Sequence, residues 1–257
     1  MQTRRSDPEA EAAISPSSSS HGVVPQGRPV VAITDYTDPL CAWSWALEPH
    51  RCRLRAEFGG RLAWRSVMGG MIADWRTYHD PLNSIHNPSQ LGPHWFQVRQ
   101  LTGVTLDERI WHEDPPASSY PACLAVKAAE RQGSQAGEAY LHRLRAAVMG
   151  SRRNIARAEV LLALAEELAD DRSRGLGFDV ERFRDDLVGP EVRDAFQEDL
   201  REVRYRGIDR FPTLVLRAGD EPEIALAGYR PYEILREALA RVAPDLRPLR
   251  DPAEPSR

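Results

Sequence analysis

The chain has 257 residues, a formal charge of −4, 42% hydrophobic and 28% charged residues. This ordinary globular composition suffices for one elaborated domain or two small ones with a real core. It excludes a basic nucleic-acid surface, and no apolar run approaches a membrane span. The three cysteines, an odd number, argue against a disulfide framework and fit a reducing, cytoplasmic setting.

In chain order, residues 1–29 are polar and rich in proline and serine, and they predict a disordered tail. Arg4-Arg5 is not followed by the apolar stretch of a secretory signal. Val30 to Tyr36 is a continuous apolar run with β-branched residues, which suits a buried strand. A helical pattern from Trp45 to Phe58 follows, carrying Leu47, Leu54 and Phe58, and Gly59-Gly60 stops it. Arg61 to Met68 alternates as a second strand, which makes a βαβ unit. Gly69-Gly70 opens an irregular stretch to about Pro93. From His94 to Gly207 the pattern is helical almost throughout. Asn154 is expected to cap a helix over 155–168, Asp179 one from Val180, and Pro190 opens another. Arg210 to Leu216 is strand-like, Gly219-Asp220 marks a hairpin turn, and Glu223 to Ala227 is the returning strand. A last helix runs from Tyr232 to Val242, and 244–257 is expected to be loose.

The order is βαβ, a helical block, then ββα. Neither flank can bury its strands alone, so the two must pack together. This predicts an α/β fold with one domain from 30–93 and 207–243 and a helical insertion over 94–206. Within it, Cys41 falls where the first strand ends and a helix begins. Unpaired N–H groups and the helix dipole favour a thiolate at such a position.

Cys41-Ala42-Trp43-Ser44 after the first strand and Phe211-Pro212-Thr213 opening the third resemble the thioredoxin superfamily. The likeness is to its DsbA-like branch, in which an all-helical domain is inserted between βαβ and ββα. Thr37-Asp38-Pro39-Leu40-Cys41, Tyr120-Pro121-Ala122, Arg153-Asn154-Ile155 and Gly228-Tyr229-Arg230-Pro231-Tyr232 resemble a cytoplasmic, protease-adaptor-like subgroup of it. The resemblance implies a thioredoxin-like fold, a nucleophilic Cys41, and a cis-proline at Pro212 facing it. It also implies that Phe211 pairs through its backbone with a bound peptide or glutathione.

The family's dithiol is Cys-x-x-Cys, whereas Ser44 holds the second position here. Ser44 cannot resolve a mixed disulfide. Three functions therefore stay open. One is monothiol disulfide exchange or isomerisation, with a protein thiol or glutathione as co-substrate. The second is a non-catalytic binding module or protease adaptor. The third is a glutathione-dependent transferase or isomerase. Ser44 either donates a hydrogen bond to the Cys41 thiolate or caps the helix. Trp43 is the expected substrate platform and Trp45 the core residue. Cys52 lies on the same helix, about 16 Å further along, beyond the roughly 7 Å reach of a disulfide, and is expected to be packed. Cys123 is either a resolving partner or, by preference, a buried small hydrophobe. His79, His86, His94 and His112 lack metal-site spacing and are expected in surface or capping roles. No metal, bound cofactor, nucleic-acid or membrane partner is expected.

Overall fold

The computed structural model describes residues 30–81, 83–171 and 175–249. The tail predicted for 1–29 and the end beyond 249 lie outside the described residues. Strand β1 (Val31–Thr37) leads into helix α1 (Ala42–Phe58) and then strand β2 (Leu62–Met68). After a long loop come α2 (Leu91–Thr102), α3 (Ile110–Glu113), α4 (Tyr120–Glu130), α5 (Ser134–Ser151), α6 (Ala158–Asp170), α7 (Val180–Val188) and α8 (Pro190–Tyr205). The chain closes with β3 (Thr213–Arg217), β4 (Ile224–Ala227) and α9 (Tyr232–Val242).

The strands form one sheet in the order β2-β1-β3-β4. β1 runs parallel to β2, with Val31 beside Leu62 and Thr37 beside Met68. β3 is antiparallel to β1, with Tyr36 opposite Thr213, and β4 is antiparallel to β3. Side chains alternate between faces along a strand. Val31 and Ile33 accordingly join Leu47, Leu54 and Phe58 of α1 and Leu235 and Leu239 of α9 in one core. Tyr36, on the opposite face, packs with Val67, Val215 and Val203 of α8. A larger core gathers the helices between β2 and β3 around Trp95, Trp111, Tyr140 and Phe183. This is an α/β sheet whose second and third strands are separated by a helical insertion.

Two buried ionic groups join that insertion to the sheet. Asp199 of α8 accepts from the Met68 N–H at 2.9 Å and pairs with Lys127 of α4 at 3.1 Å. On the α1 face, Arg51 pairs with Asp35 at 3.2 Å and Glu48 at 3.1 Å. Arg145 of α5, fully buried, donates to Glu48 at 3.0 Å and also to Thr37 Oγ1.

Several expectations need correction. Asn154 does not cap α6, which begins at Ala158 after Arg157. Its Oδ1 instead accepts from the Ala156 N–H at 3.0 Å, and its amide donates to Asp114, so it shapes the turn before the helix. β3 begins at Thr213, after Pro212, which has no N–H to give to a ladder. Residues 244–249 are not loose: the Leu249 N–H donates to Glu57 O at 2.7 Å. Cys52 is exposed. The buried positions of α1 include Leu47, Arg51, Leu54 and Phe58, and Cys52 lies off that stripe.

Candidate functional site

Asp38 makes the turn that presents Cys41. Its Oδ1 accepts from the Leu40 N–H at 2.9 Å, and its carbonyl accepts from the Cys41 N–H at 3.1 Å. That is the local pairing which makes aspartate a turn residue. Cys41 then caps α1 with extended backbone, and its Sγ accepts from the Ser44 N–H at 3.4 Å. A serine at such a cap would accept the same hydrogen bond.

Across 170 residues of chain, the Cys41 thiol donates to Phe211 O at 3.4 Å. The Phe211–Pro212 peptide bond is cis. The Gly228 N–H donates to Pro212 O at 2.7 Å, which fixes the segment against β4. The Phe211 ring lies against Gly69, where an added Cβ would overlap the ring carbons. Glycine at 69 is therefore required by close approach rather than by backbone angle.

A groove of about 860 Å³ opens over this thiol. Its floor holds Cys41, Gly69 and Gly70; one wall is Tyr78 to Pro81 with His94, and the other is Arg210-Phe211 and Gly228 to Arg230. Trp43 stands on the rim between the walls, its ring 5.8 Å from Tyr229 and 6.3 Å from His94. The Tyr229 hydroxyl lies 2.9 Å from His50 Nε2. Cys41, Trp43 and Phe211 thus come together around one groove, with Pro212 and Ser44 immediately behind.

The expected acidity of Cys41 is not what the structure supports. Cys41 is only 5% exposed. Burial pushes its pKa up; the nearby Ser44 hydroxyl and N–H pull it down, Asp38 pushes up and Arg145 pulls down. The helix-start contact exists, but desolvation outweighs it. The Ser44 side chain does not cap α1, a place that Cys41 takes, but it stands where its hydroxyl favours the Cys41 thiolate, the first of its two expected roles. Its Oγ is buried and has no hydrogen-bond partner among the described residues, yet it lies close enough to favour a thiolate.

Other residues also move from their expected places. Trp45 is not core: it is partly buried, and its indole N–H donates to Thr105 O at 3.0 Å. His94 is half-buried, lining the groove, where burial lowers its pKa. Cys123 is fully buried, and its Sγ lies 3.6 Å from Asp38 Oδ2. Asp38, Tyr78, His94 and Tyr229 were not among the expected site residues. Asp38 and Tyr229 lie in the motifs Thr37-Asp38-Pro39-Leu40-Cys41 and Gly228-Tyr229-Arg230-Pro231-Tyr232. Tyr78 and His94 carry no local signal. Among the described residues, no group of three His, Cys, Asp or Glu side chains is placed to hold a metal ion, and no helix is long and apolar enough to cross a membrane.

A sheet of this order, with a helix-capping cysteine facing a proline loop, defines a thioredoxin-fold protein. The model of the family described as Thioredoxin matches residues 35–237, and the chain belongs to that family. The ClpXP adapter protein SpxH of Halalkalibacterium halodurans is 30% identical over 214 residues, 82% of this chain and 67% of that protein. The chain thus spans about two thirds of that relative's length. A solved protein from Nitrosomonas europaea shares the fold at a TM-score of 0.68, with 23% identity over 82% of this chain and 96% of that one. The cytosolic disulfide reductase DsbM of Pseudomonas aeruginosa, also solved with GSH, superposes at a TM-score of 0.62 with 25% identity, covering 82% of this chain and all of that one.

Proposed function

We propose that the protein carries out monothiol disulfide exchange through Cys41 in a reducing, cytoplasmic setting. The observation that carries this reading is the Cys41 thiol at the floor of an open groove, 3.4 Å from the carbonyl that precedes Pro212. On a glutathione mixed disulfide, the Cys41 thiolate attacks the glutathione sulfur. The substrate S–S bond breaks, a Cys41–glutathione disulfide forms, and the substrate sulfur leaves as a thiolate that takes up a proton. A second glutathione thiolate then attacks the glutathione sulfur, releasing oxidised glutathione and restoring Cys41. Ser44 cannot perform this second step, so the external thiol supplies the electrons. Phe211 offers backbone to the bound chain and Trp43 its ring face. The likeness to DsbM, a disulfide reductase solved with GSH, supports this reading.

Turnover of a glutathione mixed disulfide by the wild type and by Cys41→Ser tests it. Turnover that is absent from the wild type, or that survives Cys41→Ser, would remove the enzymatic reading. The likeness to an adapter of ClpXP favours a second reading, in which the same groove holds a protein partner without redox work. Capture of such a partner that persists in Cys41→Ser would support the adapter.

A further inference from the structure

The Asp38 carboxylate is fully buried and is held from three segments of chain. Oδ1 accepts from the Leu40 N–H, one residue before Cys41. Oδ2 accepts from the Met71 N–H at 2.7 Å, where the groove wall leaves β2. It also accepts from the Ser119 hydroxyl at 2.9 Å and faces the Cys123 thiol of α4 at 3.6 Å. Ser119 Oγ itself accepts from the Ile72 N–H at 3.1 Å, and Asp38 Oδ2 at 2.9 Å is nearer to it than its other acceptor, Ile72 O at 3.4 Å. All four groups on the carboxylate can donate to it, a set that suits an acceptor. Burial pushes this acid's pKa above the usual carboxylate range, and the hydrogen bonds from Met71, Leu40, Ser119 and Cys123 offset only part of that. No cation is in hydrogen-bond contact with it among the described residues.

Arg145 comes to the same turn from α5. It is fully buried and reaches Thr37, the residue before Asp38. Its charge is shared with Glu48. The turn from Thr37 to Cys41 therefore carries an acid held by Ser119 and Cys123 at the start of the inserted helix α4, and it meets a cation from the inserted helix α5 at Thr37.

We propose that Asp38 and Arg145 are positioning residues for Cys41, which anchor its turn to the inserted helices and, through opposite charges, set how readily its sulfur reacts. This deepens the exchange reading but is tested on the thiol alone, without turnover. The charged and titratable groups that face Cys41 or its turn are Asp38, Cys123 against Asp38, Arg145, Glu48 behind Arg145, and Tyr78 on the groove wall.

The test is the pH midpoint of Cys41 ionisation, read from thiolate absorbance in a Cys52→Ser background with Cys41→Ser as blank. Asp38→Asn should lower the midpoint by about one unit, as expected when a buried negative charge in the thiol's own turn is removed. Asp38→Ser, which keeps an acceptor for the Leu40 N–H, should move it the same way. Arg145→Met should raise it, and Arg145→Lys should return it toward the wild type. A purely structural role would lower the melting temperature in every variant and leave the midpoint in place. An unchanged midpoint, or shifts of the same sign for Asp38→Asn and Arg145→Met, would overturn the proposal. If the shifts are opposite while disulfide turnover is absent, the positioning proposal stands and the exchange reading fails.

Discussion

At Ser44 a buried hydroxyl with no hydrogen-bond partner among the described residues stands where the dithiol members of the fold carry their second cysteine. A buried polar group that makes no hydrogen bond adds nothing to offset its desolvation. Ser44→Ala should therefore change stability to urea by less than about 1 kcal/mol. It should still raise the pH at which Cys41 ionises, because the hydroxyl favours the thiolate. A large stability loss, or an unmoved pH profile, would contradict this account. Ser44→Cys makes the complementary prediction. It should let a disulfide form between Cys41 and the introduced thiol, detected by intact mass, and remove the need for an external resolving thiol. The position of Cys41 at a helix start could be read from its neighbours in sequence; its acidity could not. The dipole and the capping N–H are local, whereas the burial that outweighs them comes from the rest of the fold.

At the scale of elements, α1 carries a buried set of charges next to the site. Its stripe of Leu47, Arg51, Leu54 and Phe58 places a guanidinium against the sheet, stabilised by Asp35 and Glu48. Burial works against the Glu48 carboxylate, but Arg51, His142 and Arg145 together hold its pKa below the usual carboxylate range. A depressed folded-state pKa contributes stability that is present above the unfolded value, about 4.3, and is lost as pH falls below it. The wild type should lose stability on acidification through that range. Glu48→Gln should be less stable at pH 7 and show a shallower acid slope in urea titrations. The strands, α1 and α9 were legible because apolar periodicity and Gly and Pro punctuation are local signals. The Arg51 and Arg145 pairs were not, since an arginine in a helix gives no sign of which acid it will meet. Gly69 makes an element-scale prediction of its own. Gly69→Ala must displace the Phe211 ring. A cost of about 1–3 kcal/mol is typical of such overpacking. Urea unfolding should show that loss, and the rate of Cys41 alkylation should change as the proline loop moves. Neither change would be expected if the ring merely rotated aside.

Over the whole molecule, the groove belongs to no single segment. Cys41 and Trp43 come from the first βαβ, His94 from the helical insertion, and Phe211 and Tyr229 from the closing ββα. The irregular stretch after Gly69-Gly70 supplies a wall, which its sequence did not reveal because loop residues find their place only through tertiary contacts. Trp43 is the side chain that spans this assembly, with Tyr229 on one side and His94 on the other. It is partly exposed, so truncation leaves a surface gap rather than a sealed core cavity. Trp43→Ala should accordingly cost less than the roughly 3–5 kcal/mol typical of a fully buried tryptophan. Its effect should instead fall on binding. An aromatic contact and the positions of Tyr229 and His94 are lost on the rim, while Cys41, Ser44 and the Phe211 carbonyl keep their places. In steady-state exchange with a glutathione mixed disulfide, KM should rise several-fold with kcat within about twofold, the pattern of lost uniform binding. A fall in kcat at unchanged KM would instead make Trp43 part of the bond-breaking step and move the origin of selectivity from the rim to the thiol.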